Sequence, residues 1–267
     1  MSMPTFRRAD WYATPHYCDI LFEDDTRLEG TFLEAALERF SKTTRARQGT
    51  EGLSVLEIAS GSGRLLVEMA RRGWKVAGID LSAPMIEYSR RRLAAKGLAG
   101  ELQVASMENF RFRRSFDLAH CLINTFKHLL DEESARATLQ SVARSLKNGG
   151  IFVLGMHLTQ YNWRHRLRER WVAERGGTRI VCNIQSWPPE KRKRVERVRA
   201  RLTVEEKGRV DRTETLWDFR TYDAKELRQL LASVPELEHV ATYDFTYGEK
   251  RELNDEQLDC VLILRRR

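Results

Sequence analysis

A run of small and acidic residues early in the chain is built for chemistry at the backbone. VLEIASGSGRLL, residues 55–66, places Glu57, Ala59, Gly61 and Gly63 as E-x-A-x-G-x-G. An apolar run precedes it and an amphipathic run follows, so it reads as a strand-to-helix turn. Small side chains there let the chain bend tightly and let a ligand approach the backbone. A dinucleotide fingerprint needs a third small residue three positions after the second glycine; Leu66 stands there, and a nicotinamide cofactor fits poorly. Asp80 ends the next apolar run, GID, 17 residues after Gly63. A carboxylate at that strand end can accept hydrogen bonds from both hydroxyls of a ribose, while Ser82 is the better helix cap.

The elements that must hold these residues alternate. LSVLEIAS, WKVAGID, ELQVAS, FDLAHCLI and IFVLGMH are strand-length apolar runs, most of them followed by amphipathic helices such as RLLVEMARRG and SARATLQSVARSLKNGG. That rhythm predicts a doubly wound α/β fold with a parallel sheet covered on both faces. Residues 1–48 read as a helical lead-in and lid, with Phe32, Leu33, Ala36, Leu37 and Phe40 at helical spacing and the polar stretch RARQGTEG closing it. After His157 the rhythm changes. Residues 160–175 are expected to be helical, followed by three strand-like runs, TRIVCNIQSW, RVERVRARLTVEE and RTETLWDFRTY. In the second run Val198, Ala200, Leu202 and Val204 face one way and Arg197, Arg199 and Arg201 the other. The main pattern resumes with DAKELRQLLASV, EHVATYDF and LDCVLILRRR. The expected division is 49–157 plus 222–267 as the main domain, with 158–221 an inserted helix and small antiparallel sheet hanging off its carboxyl edge.

Composition narrows the classes. The 267 residues include 46 Lys plus Arg against 38 Asp plus Glu, a net charge of +8, with 42% hydrophobic and 31% charged residues. Such a chain supports a sizeable core and is not globally disordered. No apolar run approaches the ~20 residues that span a bilayer, and MSMPTFRRADWY lacks the apolar core of a signal peptide. Cys18, Cys121, Cys182 and Cys260 have no metal-ligand spacing, so a cytoplasmic protein with reduced thiols and no metal is expected. Residues 160–220 hold 17 Lys plus Arg against 9 Asp plus Glu, together with Trp163, Trp171, Trp187 and Trp217. That segment suits nucleic-acid contact or a solvated sheet face kept soluble by arginine.

The ordered segments VLEIASGSGR, GIDLSAPMIEYSRR, VASMENF, FDLAHCLINTFKHLL and LKNGGIFVLGMH resemble class I S-adenosylmethionine-dependent methyltransferases over roughly residues 53–157. The resemblance implies a seven-stranded, mostly parallel sheet of order 3-2-1-4-5-7-6, its last strand antiparallel, with S-adenosylmethionine as cofactor. It puts Ala59, Ser60, Gly61 and Gly63 around the methionine part, Glu57 near its ammonium, and Arg64 near its carboxylate. Asp80 would take the ribose, Leu81 and Met85 would flank the adenine, and Ser106, Met107 and Glu108 would reach its edge. Cys121 and Leu122 would turn main-chain carbonyls to the ammonium. The family more often has Asp, Gly and Cys where Glu57, Ala59 and Ser60 stand, and Asp in place of Ser106.

NTFKHLL resembles the N-S-F-x-H-L run of small-molecule N-methyltransferases, which makes His128 a candidate base and Asn124 a candidate acceptor contact. His157 is a second base candidate. Tyr12 and Tyr17 resemble N-terminal tyrosines that close over the cofactor, Tyr17 near the chemistry and Tyr12 near the acceptor. Acceptor specificity is expected from the insertion, through Trp187, Trp217 and inward-facing arginines suited to an acidic acceptor. The leading expectation is transfer to nitrogen or oxygen of a small molecule. An RNA methyltransferase is the runner-up, weakened because CLINTF lacks the [DN]-P-P-[FYW] grip on an exocyclic amine. A non-catalytic cofactor-binding protein is third. No membrane partner is expected, and a homodimer is left open.

Overall fold

The computed structural model describes residues 4–43 and 52–267. The polar stretch expected to close the lead-in, and the boundary at 48/49, fall almost wholly outside them. The lead-in forms α1 (Pro15–Phe22) and α2 (Thr26–Phe40), and α2 buries Phe32, Leu33, Ala36, Leu37 and Phe40 on one stripe.

The main sheet is built from β2 (Ser54–Ile58), β3 (Lys75–Asp80), β4 (Gly100–Val104), β5 (Phe116–Cys121), β6 (Leu146–His157), β11 (Leu237–Tyr243) and β12 (Asp259–Arg266). Its order is β11-β12-β6-β5-β2-β3-β4. The first five pair in parallel, while β12 runs antiparallel to both β6 and β11. Numbered within the sheet alone, this is the expected 3-2-1-4-5-7-6. Parallel strands with helices on both sides have two buried faces, and β2 illustrates it. All five of its residues are buried, Leu56 and Ile58 facing α5 (Glu132–Ser145) and α6 (Ala224–Ala232), and Val55 facing α2 and α3 (Arg64–Arg71). Each such aliphatic side chain contributes about 1.5–3 kcal/mol by leaving water. Helix α6 is fixed at its start by a capping box in which Asp223 and Glu226 satisfy each other's backbone N–H groups.

The insertion differs from expectation. Residues 160–175 form no helix; β7 (Leu167–Arg175) is a strand, paired antiparallel with β8 (Thr178–Ser186). The reason is the turn between them, Gly176–Gly177, both at positive φ (59° and 79°), which is the geometry a two-residue hairpin requires. With β9 (Val195–Glu206) and β10 (Arg209–Arg220) the insertion supplies four strands rather than three. The two-residue β1 (Arg7–Arg8) adds a fifth, parallel to β10. The inner face carries Ile180, Cys182, Ala200, Leu202 and Val204, which pack with Trp11 and Cys18 of the N-terminal segment and with Met85 of α4 (Ala83–Ala94). Lead-in, insertion and main domain thus share one cluster beside the carboxyl ends of the parallel strands.

Candidate active site

The turn after β2 is the base of the site. Ala59, Gly61 and Gly63 all take positive φ (55°, 52° and 69°). A Cβ on Gly63 would sit 2.7 Å from Ser89 Oγ of α4, so only glycine packs there, whereas a Cβ on Gly61 would meet nothing within 4 Å. The turn is therefore tight underneath and open above. Asp80 anchors it: the Gly61 N–H donates to Oδ2 and the Ser82 N–H to Oδ1, both at 2.8 Å. Each carboxylate oxygen has a second lone pair, which leaves both available to a diol. Ser82 occupies the N-cap position of α4 but makes no side-chain cap; its hydroxyl donates instead to the Tyr12 carbonyl at 3.2 Å. Glu57 and Ser60 are buried, and Glu57 Oε2 and Ser60 Oγ have no hydrogen-bond partner among the described residues. Burial pushes the Glu57 carboxyl up to about 8, opposed chiefly by Arg64.

Above the turn lies a cavity of about 1000 Å³ between the main sheet and the inner face of the second one. Of the predicted residues, Glu57, Ala59, Ser60, Gly61, Arg64, Asp80, Leu81, Met85, Ser106, Met107, Glu108 and Leu122 line it, as do Tyr12, Asn124, His128, His157, Trp187 and Trp217. Gly63, Cys121 and Tyr17 do not. Cys121 points into the core, where burial pushes its thiol up to about 12. Tyr17 packs at the edge of the second sheet, near Glu206, Asp211 and Arg7, because α1 turns it away from the cavity. Arg64 is already committed: it pairs with Glu29 and donates to Thr26 Oγ1 at 3.0 Å. Ser106 bonds Glu108 and so shapes its own loop.

Three histidines line this space, His128, His157 and His165, and the first two do so in different ways. His128 Nε2 lies 2.7 Å from the Tyr12 hydroxyl, and its ring packs on Phe219 and Trp217. Burial lowers its imidazole to about 4, so it is neutral at physiological pH. Tyr12 is held by Asp10, which accepts its N–H at 2.9 Å, and by Ser82. His157 Nδ1 is 2.6 Å from Asp259 Oδ1, and the His157 backbone N–H donates to Asn124 Oδ1 at 2.6 Å. Asn124 reaches that far because Ile123 and Asn124 are both left-handed, at φ 56° and 64°; for a β-branched residue this is a strained conformation.

Several lining residues escape the sequence reading. Lys127 is buried, with Nζ 3.5 Å from Glu196 Oε2 and 5.3 Å from the Phe219 ring centroid. Burial pushes its ammonium pKa down. The period-two pattern that turned Val198 inward also turns Glu196 inward, one step earlier in β9. Glu169 and Asp259 join them. The cavity wall thus carries seven carboxyl groups, Asp10, Glu57, Asp80, Glu108, Glu169, Glu196 and Asp259, against Arg64 and Lys127. No arginine of the insertion lines it, contrary to the expectation of inward-facing guanidiniums: the alternation of β7 and β9 sends them to the opposite face. Among the described residues no group of three or more His, Cys, Asp or Glu is arranged to hold a metal, and no helix is long and apolar enough to cross a membrane.

A 3-2-1-4-5-7-6 sheet, a glycine turn after its first strand and a carboxylate at the tip of the second are the arrangement that the resemblance to class I S-adenosylmethionine-dependent methyltransferases implies. Residues 55–150 match the family model described as "Methyltransferase domain". The chain is 33% identical over 129 residues to the ubiquinone biosynthesis O-methyltransferase of Caulobacter vibrioides, covering 47% of this chain and 50% of that one. It is 29% identical over 104 residues to the dTDP-3-amino-3,4,6-trideoxy-alpha-D-glucopyranose N,N-dimethyltransferase of Streptomyces venezuelae, covering 39% and 42%. The matches span about half or less of these relatives' length. In solved structures the fold is shared with the sugar N-methyltransferase KedS8 from Streptoalloteichus, at TM-score 0.71 and 20% identity, over 100% of this chain and 97% of that one. The unpartnered Glu57 Oε2 and Ser60 Oγ and the open space over Gly61 suit S-adenosylmethionine, whose methionine end is cationic and polar.

Proposed function

We propose that this protein transfers a methyl group from S-adenosylmethionine to a nitrogen of a small, amine-bearing acceptor. The observation that carries the choice is the wall of the cavity: among the described residues, seven carboxyl groups against two cations, with Trp163, Trp171, Trp187 and Trp217 on the same lining. Carboxylates and indole faces attract an ammonium or a sulfonium; they repel the phosphates of a nucleic-acid strand. Curated relatives named as N,N-dimethyltransferases of dTDP-3-amino sugars support the same reading.

S-adenosylmethionine, when bound, supplies a methyl group made electrophilic by the sulfonium. The chain's tasks are to hold both partners in line, exclude water and take a proton. In this reading the free lone pairs of Asp80 accept the ribose hydroxyls, Glu57, Ser60 and the Gly61 backbone meet the methionine end, and Leu81, Met85 and Met107 border the adenine. Leu81 is 76% exposed as it stands, which leaves it free to be covered by a ring. An ammonium has no lone pair, so an acceptor bound in that form must first lose a proton. His157 is the better base: with its Nδ1–H donated to Asp259, Nε2 is left to accept. His128 is too weak a base at about 4 and acts with Tyr12 to position the acceptor.

The test is S-adenosylhomocysteine formation by the purified protein with matched panels of amines, including amino sugars, and phenols. Turnover confined to amines is expected; turnover confined to phenols would contradict the choice of nitrogen.

A further inference from the structure

The second sheet has another face. Cross-strand register places Arg168, Gln185 and Arg199 in one row across β7, β8 and β9, and Arg170, Asn183 and Arg201 in the next. These residues, with Pro4 and Phe6, line a groove of about 480 Å³. Four guanidiniums crowd there with Glu169 as the one carboxylate on the lining, although Glu214 on β10 lies 2.7 Å from Arg201 and 3.8 Å from Arg199. The two pairs of guanidiniums share one face, with Gln185 and Asn183 of β8 between them, so their like charges repel one another unless something of opposite charge sits among them.

A second observation points the same way. Gln185 is 7% exposed; its Oε1 accepts from Arg199 Nη2 at 3.1 Å, while its Nε2 has no partner among the described residues. A buried amide donor left unpaired is destabilising, and this one lines a groove whose other side-chain donors are four guanidiniums and the Asn183 amide. Arg199 Nε is likewise without a hydrogen-bond partner. Burial first, then Arg201, with smaller contributions from Arg166 and Arg168, lowers the Arg199 guanidinium pKa. The Phe6 ring lies 4.7 Å from the Arg201 guanidinium and walls one side.

We propose that this groove is a binding site for a phosphate-bearing small molecule, held by Arg168, Arg170, Arg199, Arg201 and the free amide of Gln185, on the face of the second sheet opposite the methyl-transfer cavity. Guanidinium forks match phosphate oxygens two at a time, and the groove's volume suits a small ligand rather than a protein surface. The site is linked to the cavity. Arg166 and Arg199 lie over the Trp187 ring at 5.6 and 5.4 Å, and Trp187 also lines the acceptor space. An anion that draws Arg199 away from Trp187 alters the acceptor wall.

The experiment is calorimetric titration of the full chain with inorganic pyrophosphate, with tryptophan emission followed in parallel. One saturable site and a change in emission are expected. Arg199→Ala and Gln185→Leu should each weaken binding, the arginine change by roughly 10–100-fold, and Arg199→Lys should restore part of it, with thermal midpoints of all variants near wild type. No saturation, or binding indifferent to all three substitutions, overturns the proposal. So does a face that takes a 12-mer of oligouridylate but not pyrophosphate, or one closed by a second copy of the chain in sedimentation.

Discussion

His157 and Asp259 lie 102 residues apart in the chain and 2.6 Å apart in space, joined where the end of β6 pairs with the start of β12. A carboxylate on Nδ1 fixes the tautomer and leaves Nε2 as the acceptor. Asp259→Asn should therefore lower kcat by ~100-fold while leaving the cofactor KM unchanged. Steady-state kinetics checks this, and an unchanged kcat would remove His157 from the proton path.

Asp80 has two duties: it accepts two backbone N–H groups that shape the turn, and in the proposed complex it accepts the ribose hydroxyls. Asp80→Ala should weaken S-adenosylhomocysteine binding by about 1.5–3 kcal/mol, the worth of hydrogen bonds to a charged acceptor. Calorimetry reads it directly. An unchanged affinity would detach the ribose from this carboxylate.

In the proposed complex Glu57 makes cofactor binding dependent on pH. Its folded pKa, raised to about 8 by burial, means that the ligand-free site holds a proton at neutrality. The stability tied to that proton is full below the ordinary carboxylate range and is lost as pH rises through 8. A cationic ammonium nearby favours the ionised form, so binding at pH 7 should release protons. Calorimetry in buffers of different ionisation enthalpy should detect the release, and Glu57→Gln should abolish it. Proton-neutral binding by the wild type would place the ammonium elsewhere.

The acceptor wall can be separated from the cofactor floor. Trp217 packs on His128, Phe219 and Trp11, and its Nε1 has no partner among the described residues. Trp217→Ala or Trp187→Ala should raise the acceptor KM by roughly 2–30-fold, the range of a lost cation–π contact, with S-adenosylhomocysteine affinity unchanged. Equal losses of both would point to a folding defect.

The main sheet is legible in the sequence because strands buried on both faces leave continuous apolar runs, and the glycine turn because small residues at fixed spacing have few other uses. Strand β7 is hidden for a physical reason: Arg168, Glu169, Arg170 and Glu174 are good helix formers, and only pairing across Gly176–Gly177 makes LRERWVAER extended. The alternation in β9 separates two faces correctly but carries no information about which one meets the cavity. Asp259 enters the site only through antiparallel pairing with β6, and no local pattern marks it. Tyr17 and Arg64 stand where a site would use them, yet tertiary partners claim them first.

The central claim is that the turn at Ala59–Gly63 and the tip of β3 together hold an adenosyl cofactor whose sulfur faces an acidic, aromatic acceptor space. A crystal structure of the complex with S-adenosylhomocysteine tests this most directly. The account predicts the ribose on Asp80, the amino-acid end beside Glu57 and Ser60, and the sulfur turned toward His157, Trp187 and Trp217. Ligand density away from that turn, or a sulfur facing a wall of arginines, would contradict it.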